Sequence, residues 1–165
     1  MALFESSRTL LRRFLRTMRT WSESSMIVDK KSKFQGRCCG LKCQDEISKI
    51  LEDLVNSTKA VSKATHPHMY AWRTGDRTDV EVKDSKRGRK SSKMESQIQN
   101  LQQGCNDCGE AGAGQRLLTL LEHSGATNVL VVVTRWYGGT PLGSARFRHI
   151  TTAAVESLKK AGHAS

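Results

Sequence analysis

A chain of 165 residues, 37% hydrophobic and with two prolines, has room for one domain core and not for two ordinary ones. No apolar run reaches the length of a membrane-spanning helix, which excludes an integral membrane protein held by helices. The net charge of +11 draws polyanions in general, and seven of those charges sit in residues 1–21 and 73–103, the parts least like a core.

Residues 1–21 hold five arginines against Glu5 and place Leu11, Phe14, Leu15 and Met18 on one helical face. This make-up fits a mitochondrial presequence, or a basic amphipathic extension of a cytosolic protein. Residues 1–22 are therefore set apart from a domain over 23–163. The five cysteines, without a secretory signal, point to reduced thiols in an intracellular compartment.

Within the domain, the pattern predicts a strand from Lys33 to Leu41, on which adjacent Cys38 and Cys39 point to opposite faces. Ile47, Ile50, Leu51, Leu54 and Val55 recur at helical spacing, with Asp45 and Glu46 in the first turn where the helix dipole favours acids. A second strand is predicted around Met69–Thr74, carrying Tyr70 and Trp72 on one face. The polarity of the following stretch predicts a mobile basic insertion at about residues 75–103, with at most a helical turn at Met94–Leu101. Its basic run Lys86–Lys93 reads as solvated loop or as a nuclear-localisation signal.

From Gly104, a glycine-rich approach leads to a helix with Leu117, Leu118, Leu120 and Leu121 that ends near Gly125. The unbroken apolar run Asn128–Thr134 predicts a strand buried on both faces. Thr140–Pro141 offers an N-cap and first-turn pair for a last helix with Phe147, Ile150, Thr151, Ala154 and Leu158 inward.

Four motifs occur in order. They are Asp29–Phe34, Ala64-Thr65-His66 with Ala71-Trp72-Arg73, Asp107–Gly114, and Arg135-Trp136-Tyr137-Gly138-Gly139 followed by Leu142, Gly143, Arg146, Phe147 and Ile150. Together they resemble the IMPACT/YigZ family in its eukaryotic version, without a stretch like the RWD module. Cys108 stands where the family carries the second acid of a pair. The resemblance implies an α+β fold like domain 2 of ribosomal protein S5, a sheet of four or so strands with helices packed on one face. It also implies a cytoplasmic, non-enzymatic regulator of translation in the amino-acid-starvation response. The implied partner is the ribosome-associated activator of the kinase that phosphorylates initiation factor 2.

The strand–glycine–helix order at Arg135, Tyr137, Gly138, Gly139 and Arg146 suits an anion, whether phosphate, RNA backbone or a partner's carboxylate. The bland alternative is a tight turn with aromatics packed inward. Asp107, Glu110, His66 and His68 form a second candidate, an acidic and histidine cluster. Without a positioned nucleophile, it reads as structural rather than catalytic. A hydrolase at Arg135, Tyr137 and Asp107, and an RNA-binding module, are the competing functions. Cys105-Asn-Asp-Cys108 has redox or zinc spacing but lacks a second ligand pair, so no metal or cofactor is expected.

Overall fold

The apolar run becomes strand β6, Val129–Trp136, and lies in the middle of the sheet. The computed structural model describes residues 19–83 and 92–164. Its other strands are β1 (Ser22–Glu23), β2 (Ile27–Asp29), β3 (Ser32–Gly40), β4 (His66–Lys83) and β5 (Ser92–Asn106). All pair antiparallel in the order β1-β3-β6-β4-β5, with β2 also on β3. In register, β6 sets Val129 beside Gly40 on one neighbour and beside Arg73 on the other.

Side chains alternate across a strand, so a central strand with the unbroken apolar run Val129–Val133 needs cover on both faces. Val129, Val131 and Val133 meet helices α3 (Ala113–Ser124) and α4 (Ala145–Lys160), through Leu117, Leu121, Ile150, Ala154 and Leu158. Leu130 and Val132 meet α1 (Ile47–Ser57) and α2 (Lys59–Ser62), through Ile50, Leu54 and Val61. The α+β class and its four long strands, β3 to β6, are as expected. The helices, however, cover both faces rather than one, which the two-sided hydrophobicity of β6 demands. Cys38 and Cys39 fall in opposite cores, and Tyr70 and Trp72 share one.

The small residues of α4 bring it close to the sheet. A Cβ on Gly36 of β3 would stand 2.2 Å from the Ala153 carbonyl oxygen, so only glycine fits beneath this helix. Helix α3 ends at Gly125, whose φ of 65° is left-handed, as the sequence predicts. Helix α4 departs from expectation. It starts at Ala145 behind Ser144, not at Thr140–Pro141, because Gly143 is left-handed (φ 59°) and breaks any helix begun earlier.

Residues 75–83 and 92–103 belong to a long β4–β5 ribbon, correcting the reading of an insertion without regular structure. Polarity there reflects exposure, not absence of pairing. Asp79-Val80-Glu81-Val82 alternates with period two, and Ser96 Oγ donates to Asp79 Oδ1 (2.7 Å) across the ribbon. The helical turn at Met94–Leu101 is strand instead. Residues 84–91, which include most of the basic run, and the presequence-like residues 1–18, lie outside the described residues. No helix among the described residues is long and apolar enough to cross a membrane.

Candidate functional site

Antiparallel pairing sets His66, at the start of β4, opposite Arg135, near the end of β6. The loop from β5 to α3 then lays Glu110 over this pair, and the first turn of α4 brings Arg146 from the other side. Side chains from β4, β6 and α4 thus converge on the one carboxylate that the β5–α3 loop supplies.

Glu110 is buried, with 5% of its surface exposed. Its Oε2 accepts a charge-assisted hydrogen bond from Arg135 Nη1 and lies 3.4 Å from His66 Nε2. Arg146 Nε sits 2.5 Å from Oε1, close enough for an ion contact although its N–H is not directed along that line. A buried carboxylate is costly unless neutralised, and two guanidiniums do this here. The group as a whole carries more positive than negative charge. His66 Nδ1 lies 2.9 Å from the Cys108 carbonyl oxygen. That oxygen can only accept, so Nδ1 donates to it and Nε2 faces Glu110.

Asp107 does different work. Its two carboxylate oxygens accept from the N–H groups of Gly112 (3.1 Å) and Gly114 (2.7 Å) at the start of α3. This shapes the turn containing left-handed Cys108, Gly109 and Gly112 and so presents Glu110. The expected cluster therefore divides. Glu110 and His66 converge with the arginines, Asp107 holds the loop, and His68 lies outside the groove above Glu110.

The Arg135–Gly139 turn is rigidly tied. Trp136 Nε1 donates to the Ala60 carbonyl (2.8 Å), Tyr137 N to Thr65 Oγ1 (3.0 Å) and Gly138 N to Ser32 Oγ (3.0 Å). A Cβ on Gly138 would meet the Lys31 carbonyl carbon at 2.2 Å, while Gly139 is left-handed at φ 92°. The Tyr137 and Gly138 N–H groups of this turn are thus engaged within the chain. Arg135 is 6% exposed, stacked 5.5 Å from the Phe34 ring and 5.7 Å from that of Tyr137. It is a structural cation rather than a free one.

Above this cluster opens a shallow groove of about 380 Å³ lined by Thr65, Tyr137, Pro141, Leu142 and Gly143 as well as the charged groups. Thr65 falls within the Ala64-Thr65-His66 motif, but its hydrogen-bond partner, the Tyr137 N–H, lies 72 positions away and could not be read from it. Tyr137 is 46% exposed at the rim. Burial, then the charge of nearby Asp107, raises the Cys105 thiol above its ordinary value, the opposite of an activated nucleophile. Among the described residues, no three of His, Cys, Asp and Glu converge as metal ligands.

Comparison with known proteins adds kinship to this geometry. The model of the Impact N-terminal domain matches residues 30–158. The IMPACT family member YDL177C of Saccharomyces cerevisiae is 54% identical over 159 residues, covering 88% of this chain and 94% of that protein. Human protein IMPACT is 36% identical over 132 residues, covering 80% of this chain but only 35% of the human protein. A solved structure of the two-domain translational regulator Yih1 superposes with a TM-score of 0.52 at 31% identity, covering 88% of this chain and 48% of that one. A second solved structure, at 22% identity and a TM-score of 0.57, shares the fold.

Proposed function

Because this chain belongs to the IMPACT family, we propose that it is a non-enzymatic binding protein of translational control, active in the cytoplasmic response to amino-acid starvation. Yih1, similar to it over 88% of this chain, is described as a translational regulator. The proposed partner is a protein of that machinery, the ribosome-associated activator of the starvation kinase.

The observation that carries the binding part is the closure of the Glu110 cluster. Arg135 and Arg146 both face the same carboxylate, and His66 is oriented by a backbone carbonyl. Groups held this way fix a surface and stand ready for no proton or acyl transfer, which needs a nucleophile within reach of a base. The half-exposed Tyr137 and the adjacent Pro141 and Leu142 then form an apolar rim over a fixed polar floor, the anatomy of a protein-recognition patch.

The test is made in cells limited for an amino acid. Raising the level of this chain should lower phosphorylation of initiation factor 2, and raising a Tyr137→Ala variant to the same level should lower it less. Unchanged phosphorylation with the native chain at high level would refute the translational reading.

A further inference from the structure

A second groove, of about 480 Å³, runs between α3 and α4, and none of its lining residues lines the groove above Glu110. It is lined by the half-buried ring of Phe147 with Val155, Thr151 and Thr152. Its charges are Arg116 from α3 and Arg148 from α4, both exposed. Among the described residues, neither arginine has a carboxylate within ion-pair distance. The acids of the two helices are occupied elsewhere. Glu122 accepts from Gln103 Nε2 (2.7 Å), and Glu156 accepts from Ser25 N (2.8 Å).

We propose that this groove docks an acidic, partly apolar segment of a protein partner. Two uncompensated guanidiniums flanking an apolar floor match a segment that alternates carboxylates with aliphatic side chains. Each guanidinium can meet a carboxylate by paired N–H donors, while the aliphatic groups lie against Val155 beside the Phe147 ring. Single-stranded RNA, the other polyanion such a surface could attract, would need a bare ring for base stacking. The Phe147 ring already carries two guanidiniums, Arg116 at 4.3 Å and Arg146 at 4.4 Å from its centroid. The ring is thereby committed to orienting arginines, and this favours the carboxylate ligand. The inference stands independently of the role in translation, because it concerns different residues and a binding event measurable with purified protein.

The experiment uses the full chain and fluorescence anisotropy with a labelled helical peptide of Glu and Leu. A Lys and Leu peptide and a labelled uridine oligonucleotide are run beside it. The native chain should bind the acidic peptide, ignore the basic one, and bind the RNA more weakly. Arg116→Glu and Arg148→Glu should each weaken the acidic peptide by about tenfold. Lys49→Glu, the same charge change on the exposed side of α1, should leave affinity within about twofold. Circular dichroism confirms that each variant is folded, since both arginines are exposed helical positions. Equal loss from Lys49→Glu would show attraction by net charge alone and overturn the proposal. Tighter binding of RNA than of the acidic peptide, or indifference to both arginine reversals, would overturn it as well.

Discussion

Replacing Glu110 by Gln keeps the shape of the side chain and removes the one carboxylate shared by Arg135 and Arg146. Arg135 is 7% exposed at its side chain, so its charge would be left in a nearly dry site. Removing one partner of a buried ion pair costs roughly 3–5 kcal/mol. Arg146, with 29% of its side chain exposed, can turn to water and adds little. A loss of about 3 kcal/mol follows, which for a domain of this size lowers Tm by roughly 6–12 °C. Urea denaturation of the native chain, Glu110→Gln, Arg135→Met and the double variant measures the coupling directly. The double variant should be more stable than the summed single losses imply, by about 2 kcal/mol, because it strands no charge. A Glu110→Gln variant within about 0.5 kcal/mol of native, with additive effects, would refute the reasoning.

Gly36→Ala should destabilise by about 1–3 kcal/mol or more, since its Cβ meets backbone at 2.2 Å, whereas Gly40→Ala, with nothing within 4 Å, should be neutral or mildly stabilising in the same thermal melts. Burial pushes the Cys39 thiol up to about 12 and raises that of Cys38. Iodoacetamide followed by mass spectrometry should therefore label exposed Cys43 in the native chain, Cys105, exposed but with a raised thiol, more slowly, and Cys38 and Cys39 only after unfolding. Hydrogen bonds from the Ser25 N–H and hydroxyl hold the Glu156 carboxyl below its ordinary value. A depressed carboxylate stabilises above its unfolded value and ceases to do so as pH falls through the folded one. Glu156→Gln should accordingly lose less stability than the native chain between about pH 6 and about pH 3 in denaturant titrations.

The elements governed by local pattern were legible. Strands β3 and β6 and helices α1, α3 and α4 follow from apolar spacing, and Gly125 ends α3 where its left-handed freedom places it. The ribbon was missed because its pairs are polar and satisfy one another across the strands, as Asn100 Nδ2 does with Asp76 Oδ2 (2.9 Å). The start of α4 was misplaced because Thr140–Pro141 is a sound local cap signal that a left-handed Gly143 overrides.

At the site, Arg135, Arg146, Glu110 and His66 could be named in advance, but not that they meet. Glu110 and Arg135 are 25 residues apart and Cys108 and His66 are 42 apart, and only the sheet register brings them together. Asp107 looked like a partner of the histidines because both kinds of residue carry chemistry. Its true neighbours are backbone amides, which leave no trace in side-chain identity. Arg73 was likewise unmarked as a structural cation, although it donates to the carbonyls of Leu121 and Ala126 where α3 ends.

The proposed role of the rim above Glu110 is to recognise a protein of the translational machinery. Affinity purification of the tagged chain from amino-acid-limited cells, alongside Tyr137→Ala matched for fold and expression, tests this most directly. The ribosome-associated kinase activator should accompany the native chain and be depleted by about tenfold from the variant. Recovery of the activator in equal amounts with both, or with neither, would contradict the account.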